Sequence, residues 1–473
     1  MKKERVVETI AELFYQQKQH APKVAKSTAK ERIKKLRLLE REILKRQQQI
    51  NNAVSADFRK PELETNFTET FLTLHEIRHT IRHISKWMRP KKISRTLLSA
   101  TTRSEIRYES KGVVLIISPW NFPIHLALMP LVSAIAAGNC AIIKPSEFAP
   151  NAAKIIEEII EAVFPRGETA IIQGDKEVAE QLLQLPFDHI FFTGSPEVGK
   201  IVMKAAADHY ASVTLELGGK SPSIIDADAD IDDAALKLAL GKFMNCGQAC
   251  IAPDYILVHH SQMDNLLVSL KRVLRNAYGD ASAAQKSPNL ARIINSKNYE
   301  RIENLLNDAV AKGAQINTGG EKQADDLYIA PTLLTNIPQD DCKLMEEEIF
   351  GPLLPIIPFE TIDDAIRIIN NKPKPLAMYI FSHQHEHVER ILNETRAGGT
   401  TVNDFGWQYL QFNLPFGGVG MSGFGSTHGK NGFLAFSHER AVVYHHKWSP
   451  LKLFAPPYTK FKINLTKLLI KYF

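Results

Sequence analysis

At 473 residues the chain is too long for one small domain, and roughly 150 residues per domain allows two or three. Hydrophobic residues make up 44% and charged residues 23%, which excludes a disordered chain. The 58 Lys+Arg against 52 Asp+Glu leave a net charge of +6, too diffuse over this length to argue for a nucleic-acid partner. Four cysteines (Cys140, Cys246, Cys250, Cys342) are too few for a disulfide scaffold and fit a reducing compartment. With no apolar run of about 18 residues and no signal-peptide core at the N-terminus, and with Glu4, Glu8 and Glu12 opposing a transit peptide, the expectation is a soluble cytoplasmic protein.

The first ninety residues read as helices. Ile33, Leu36, Leu39 and Ile43 recur at helical spacing. Residues 1–50 hold 14 Lys+Arg against 6 Asp+Glu, and because these charges interleave with the apolar period, a solvated helix face explains them better than a nucleic-acid arm. From 111 to 217 strands and helices alternate. The strands are Val113–Ile117, Ala141–Lys144, Ala170–Ile172, His189–Phe192 and Val213–Leu217. The helices are Ile124–Ala137 with Gly138 as its cap, Asn151–Phe164, Lys176–Gln184 and Val198–Ala207. A second series, from about 221 to 403, places strands at Ser223–Ile225, Tyr255–Val258, Leu353–Ile357, Met378–Phe381 and Thr400–Val402, with helices near 232–244, 262–276, 296–312 and 363–370. Continuous apolar strands separated by helices predict an α/β protein with two doubly wound parallel-sheet domains, hinged near Gly218-Gly219. The β-branched segments 92–110 and 439–448 predict strands projecting from the body.

Three clusters carry the chemistry. Gly247-Gln248-Ala249-Cys250 ends an apolar helix and presents a thiol on a glycine turn, although a buried structural cysteine fits the same pattern. Leu215-Glu216-Leu217-Gly218-Gly219-Lys220 puts a carboxylate at a strand end, where it serves either as a general base on water or as an ion-paired glutamate. Ser118-Pro119-Trp120-Asn121-Phe122-Pro123 follows a strand and offers the Asn121 amide to an oxyanion, unless it is a plain strand–helix connection. No G-x-G-x-x-G is present. In its place Phe192-Thr193-Gly194-Ser195-Pro196-Glu197-Val198-Gly199 opens a helix where backbone N–H groups can hold a pyrophosphate. Cys246 and Cys250 lack a second pair of ligands, and His383, His385 and His387 read as the polar start of a helix, so no metal site is expected. Phe405, Trp407, Tyr409 and Phe412 are either core or the wall of an apolar substrate funnel.

Together these segments resemble the aldehyde dehydrogenase superfamily over nearly the whole chain. LELGGKS and FMNCGQAC stand in order with PWNFP, KPSE (Lys144 to Glu147), FTGSPEVG, EEIFGP (Glu347 to Pro352) and PFGGVGMSG (Pro415 to Gly423), and 34 residues separate Glu216 from Cys250. The NCGQACIAPDY context and the PFGGVG…HGK segment are similar to the class 3 and fatty-aldehyde branch. The resemblance implies oxidation of a medium- or long-chain aliphatic or an aromatic aldehyde to its acid, with Cys250 as the thiolate nucleophile, Asn121 and the Cys250 N–H holding the oxyanion, and Glu216 activating water on a thioester. It implies NAD as cofactor, with NADP accepted by relatives, held by Trp120, Lys144, Glu147, Gly194, Ser195, Val198, Glu348 and Phe350. It also implies a cofactor-binding domain of 1–91 and 111–217, a catalytic domain of 218–421, and a homodimer formed through 92–110 and 422–449. The rivals are a CoA-acylating dehydrogenase, opposed by Glu216, and a non-catalytic binding protein, opposed by Cys250, Glu216 and Asn121 together. The tail, 450–473, holds five lysines and no acidic residue, with Phe461, Leu465, Leu468 and Tyr472 on one helical face. It is suited either to docking on the body or a partner subunit, or to reversible contact with a membrane surface.

Overall fold

The computed structural model describes residues 9–96, 99–338, 341–445 and 449–472. The N-terminal helices form as the spacing predicts. Ile10–Ala25 and Ala29–Lys45 each open on a capping box, Thr9 with Glu12 and Thr28 with Glu31, which satisfies backbone donors at the start of each helix. Leu36, Leu39 and Ile43 are fully buried while Arg37 and Arg41 between them face outward, so the basic composition of this helix belongs to a solvated surface.

These helices cover a six-stranded sheet ordered Gly423–Phe424, Ser212–Glu216, His189–Thr193, Val113–Ile117, Cys140–Lys144, Thr169–Ile171. It is parallel except at its first strand. Val113, Val114, Leu115 and Ile116 are all sealed from solvent, as a strand with helices on both faces requires. The second sheet has seven strands, ordered Gln315–Thr318, Thr332–Thr335, Leu353–Phe359, Tyr255–His259, Pro222–Ile225, Ala377–Phe381, Gly399–Val402. Only its edge strand, Gln315–Thr318, runs antiparallel.

Two strands of this sheet were not expected. Gln315–Thr318 is polar and largely exposed, and Thr332–Thr335 spans four residues, so neither carries the continuous apolar run that marked the others. The projecting segments pair with each other. Thr102–Ser110 lies between Lys91–Ile93 and Ser437–His445 in an antiparallel three-stranded sheet with mostly exposed side chains. The end of the second predicted strand, 446–448, lies outside the described residues. No helix among the described residues is long and apolar enough to cross a membrane.

Candidate active site

Three neighbouring parallel strands of the first sheet end at one place. Val113–Ile117 runs into Pro119, Trp120 and Asn121, His189–Thr193 into Gly194 and Ser195, and Ser212–Glu216 into Gly218 and Gly219. The loops that lead into the second sheet's strands, with Glu346 to Phe350 and Lys374, face them across a cavity of about 550 Å³. Cys250 lines this cavity together with Glu216, Asn121, Trp120, Gly194, Ser195, Glu348 and Phe350. Residues far apart in the chain thus meet where open α/β sheets bind ligands, beyond the carboxyl ends of the strands.

The cysteine turn is locked from several sides. Asn245, Cys246 and Gly247 all take left-handed backbone angles, with φ of 54°, 56° and 75°. Side chains on Asn245 and Cys246 make that conformation costly, so the surroundings must hold it. At Gly247 a Cβ would lie 2.2 Å from the Gly351 carbonyl oxygen, so the turn also needs a glycine there. Gln248 donates to the Asn245 and Arg292 carbonyls at 3.0 and 2.9 Å and accepts from the Ile294 N–H at 3.0 Å. The Gln248 carbonyl accepts from the amides of both Asn121 and Asn245, each at 3.0 Å. Because that partner is a carbonyl, the NH2 of Asn121 must face it, and its second N–H remains available.

Glu216 is fixed by backbone pairing on both sides, with Thr193 in register on one neighbour and Gly423 on the other. The Gly194 N–H donates to the Glu216 carbonyl at 3.0 Å. The PFGGVGMSG segment therefore acts as a clasp on the glutamate strand, a role the sequence reading did not give it. Glu216 is 4% exposed, and burial pushes its carboxyl up to about 8. Burial likewise pushes Glu348 up to about 8. Among the described residues, Glu216 Oε1 and Asn121 Oδ1 are buried with no protein partner, and both residues line the cavity. Buried polar atoms left unpaired in one cavity mark a place for a polar ligand.

Burial, and then the Glu348 and Glu216 carboxyls, push the Cys250 thiol well above its usual range. These surroundings favour the thiol over the thiolate at Cys250. Cys250 is itself half-buried on the cavity wall, where the neighbouring carboxyls oppose the charged form of sulfur.

The loop opposite is strung on residues that the sequence reading did not assign. Lys220 donates to the Leu344 and Glu347 carbonyls, both at 2.8 Å, and pairs with Asp254. Asp254 accepts the Ile349 N–H at 3.0 Å, and Arg301 donates to the Glu348 and Ile349 carbonyls at 3.1 and 2.8 Å. Lys220 stood within a motif, but nothing local in sequence pairs it with Asp254, 34 residues on. Glu348 so held packs on Gly218, where a Cβ would stand 1.9 Å from its carboxylate oxygen. Phe350 meets Trp120 edge to face at 5.4 Å.

The remaining expected cofactor residues stand outside the cavity lining. Lys144 and Glu147 pair with each other at 2.7 Å at the end of the adjacent strand, Lys144 being in register with Ile117. Val198 is 44% exposed in the first turn of Pro196–Asp208, the helix whose N-cap is Ser195. Phe405 packs on Tyr379, Tyr409 and Phe412 surround His428, and Trp407 is exposed. His387 pairs with Asp226 at 2.7 Å, and no group of three metal-ligating side chains occurs among the described residues.

A cysteine and a carboxyl thus face one cavity beyond the strand ends of a doubly wound sheet, a place for a ligand. Residues 4–442 match the aldehyde dehydrogenase family. The chain belongs to that family and is an aldehyde dehydrogenase, an oxidoreductase acting on aldehydes. It is 43% identical to the 4,4'-diaponeurosporen-aldehyde dehydrogenase of Staphylococcus aureus, over 92% of this chain and 93% of that one. With aldehyde dehydrogenase family 3 member A2 of Pongo abelii it shares 42% identity over 87% and 83%. The substrate-bound structure of Staphylococcus aureus AldH superposes with a TM-score of 0.92 at 40% identity, over 98% of this chain and 99% of that one. GapN of Methanocaldococcus jannaschii, a glyceraldehyde-3-phosphate dehydrogenase complexed with NADP, follows at 0.82 and 25%, over 92% and 94%.

Proposed function

We propose that this chain oxidises long-chain apolar aldehydes to carboxylic acids at Cys250, through an enzyme-bound thioester, with a nicotinamide dinucleotide as acceptor. The observation that carries the reading is the meeting of Cys250, Glu216 and Asn121 on one cavity. The Cys250 sulfur adds to the aldehyde carbon, and its proton passes to Glu216, a carboxyl of the same cavity. The free Asn121 N–H and the Cys250 backbone N–H hold the oxyanion, and donors of this kind are each worth about 2.7–4 kcal/mol in the transition state. The dinucleotide, when bound, supplies the hydride acceptor that turns the thiol adduct into a thioester. Glu216 releases the thiol proton to solvent and, as a carboxylate again, takes a proton from water, whose oxygen attacks the thioester carbon, and the acid departs as the sulfur regains its electron pair.

The fit of a dinucleotide rests on the helix start at Ser195-Pro196, which presents backbone N–H groups for phosphate, on the Gly218 gap against Glu348, and on the orphaned polar atoms above. Trp120, Gly194, Ser195, Glu348 and Phe350 would hold it at the cavity, and Lys144, Glu147 and Val198 at its adenosine side. The Lys144–Glu147 pair supports NAD, because a carboxylate there repels a 2′-phosphate. In this reading the six-stranded sheet and its helices, 1–91 with 111–217, carry the cofactor, and 218–421 carries the nucleophile.

The Staphylococcus aureus relative named 4,4'-diaponeurosporen-aldehyde dehydrogenase supports an aldehyde substrate, and chain length is what the test below decides. The test is dinucleotide reduction with purified protein across hexanal to hexadecanal, benzaldehyde and cinnamaldehyde. Rates rising with chain length, and abolished in Cys250→Ala while dinucleotide still binds, are expected. Substantial activity in Cys250→Ala would sink the assignment.

The exposed three-stranded sheet, 92–110 with 422–449, is the dimer contact in this reading, because its outer strand leaves backbone groups to pair. The tail helix Lys460–Tyr472 buries none of its residues, and Phe461 and Tyr472 are 70% and 67% exposed beside its lysines, which suits an anionic membrane interface. A chain truncated after 449 should keep its activity on hexanal and lose co-sedimentation with anionic vesicles. Equal sedimentation with and without the tail would remove it as the contact.

A further inference from the structure

One segment of the N-terminal helices touches both turns that carry the chemistry, and the mechanism above does not use it. Glu64 Oε2 accepts the Asn245 N–H at 2.8 Å. Glu69 Oε2 accepts the Ile124 and His125 N–H groups at 3.1 and 3.0 Å. Asn245 opens the left-handed turn that leads to Cys250, and Ile124 and His125 follow Asn121 into the helix Pro123–Ala137. The two turns are also bonded to each other. The Asn245 amide donates to the Asn121 carbonyl at 2.9 Å and to the Gln248 carbonyl at 3.0 Å, and the Asn121 amide donates to that same Gln248 carbonyl. Hydrogen bonds thus run without a gap from Glu64, through Asn245, to Asn121 and Gln248, and Asn121 lines the cavity with Cys250.

Two glutamates at this spacing would not face the same way on an α-helix. At about 100° per residue, Glu64 and Glu69 would diverge by about 140°. The chain between them is π-helical from Asn66 to Phe71, where the Leu72 N–H closes on the Phe67 carbonyl. A turn bonded i to i+5 rotates less per residue, which swings Glu69 back toward the face of Glu64, and turns of this kind gather at functional sites. Lys60 pins the segment at its other end, 2.8 Å from Glu69 and 4.1 Å from the Phe122 ring centroid. Asn245 and Cys246 keep φ of 54° and 56° only while their surroundings hold them there, and the Glu64 bond falls on the first of the two. Partial burial pushes the Glu64 carboxyl up to about 7, and in either protonation state one of its oxygens accepts from Asn245.

We propose that Glu64 is a positioning residue for the chemistry at Cys250, fixing through Asn245 how the cysteine turn stands against the Asn121 amide that receives the oxyanion. This role rests on the thioester reading given above. Glu64 stands outside the cavity lining, so it holds neither aldehyde nor dinucleotide and transfers no proton. When the Cys250 sulfur bonds to the aldehyde carbon, the thiol proton goes to Glu216 and the carbonyl electron pair moves to oxygen. The Asn121 N–H must already stand where that charge appears. Releasing Asn245 lets its turn relax, shifts the Gln248 carbonyl, and takes the Asn121 N–H away from that point. Orientation of this kind lowers the barrier without strengthening the binding of either reactant.

The test reads the first turnover. Enzyme with saturating NAD is mixed rapidly with hexanal, and both dinucleotide reduction and the acyl mass on the acid-quenched chain are followed. Glu64→Leu, which removes the acceptor, should reduce dinucleotide about tenfold more slowly, the equivalent of one hydrogen bond, with an unchanged dinucleotide Kd. Glu64→Gln, whose amide oxygen still accepts from Asn245, should stay within about threefold of wild type. Asn121→Ala should be slow by itself, and adding Glu64→Leu to it should cost less than about a further twofold, because Glu64 acts through Asn121. If Glu64→Leu does not fold, Glu64→Asp, one methylene short of Asn245, should show the same loss and the same dependence on Asn121. A rate within about twofold of wild type in the variant without the bond, or a tenfold loss that persists in the Asn121→Ala background, would overturn the positioning role. Wild-type protein that never acquires the acyl mass would instead overturn the thioester reading itself.

Discussion

Glu216 shows how one environment sets both the role and the pH range of a side chain. Flanked by strand neighbours and sealed from solvent, its carboxyl is lifted to about 8, so at pH 6 it is protonated and does not accept a proton from water. Hydrolysis of the acyl-enzyme should therefore accelerate as pH rises through about 8 and level off above it. Glu216→Gln should retain first-turnover dinucleotide reduction, lose most of the hydrolytic rate, about 10²–10⁴-fold for a general base, and lose this pH dependence. An unchanged pH profile in Glu216→Gln would remove it as the base. The carboxyl was legible as a candidate because of its place at a strand end before two glycines, but its protonation was not, because desolvation depends on what packs around it.

At the scale of elements, the start of the helix Pro123–Ala137 depends on a buried ion pair. Lys60 and Glu69 are both 0% exposed and 2.8 Å apart, and Glu69 also receives the Ile124 and His125 N–H groups. The Lys60 ammonium additionally stands 4.1 Å from the Phe122 ring centroid. Glu69 reaches this place from the π-helical turn Asn66–Phe71, whose extra residue shifts the face presented by the following helix. Removing one partner leaves the other charge buried and unpaired. Lys60→Met should accordingly cost about 3–5 kcal/mol, read as a lowered denaturant midpoint. A loss below about 1 kcal/mol would show that water or a shifted side chain compensates. Neither the pair nor the π-turn was visible in the sequence, since an isolated lysine and glutamate nine residues apart read as surface charges.

Across the whole molecule, buried titratable groups give stability a definite pH dependence. Glu76, Glu216 and Glu348 are each raised from 4.5 to about 8 by burial. Between those values the unfolded chain has lost a proton that the folded chain keeps, so their contribution is full below about 4.5 and is lost as pH rises toward 8. His125 and His428, both lowered from 6.5 to about 3, act in the opposite sense, and their contribution is lost as pH falls below 6.5. The thermal midpoint should therefore fall between pH 6.5 and 8. Glu76 accepts the Gly429 N–H at 2.9 Å, a bond that a glutamine can also accept. Glu76→Gln should recover about 2 kcal/mol of that fall, measured by thermal unfolding at both pH values. An identical fall in both proteins would mean that Glu76 is already ionised.

The sequence by itself determined the two α/β series, the helical N-terminus and the identity of the nucleophile, base and oxyanion candidates. Each rests on a local signal, such as an apolar run, a glycine turn or a carboxylate at a strand end, and local signals need no knowledge of what lies opposite. Tertiary structure alone decided that the PFGGVGMSG segment clasps the glutamate strand and that Lys220, Asp254 and Arg301 string the Glu348 loop. It also decided the burial that lowers His125 and His428 and raises Glu76, Glu216 and Glu348. These follow from pairing, burial and hydrogen-bond direction between residues tens to hundreds of positions apart, quantities that exist only once the chain has closed on itself.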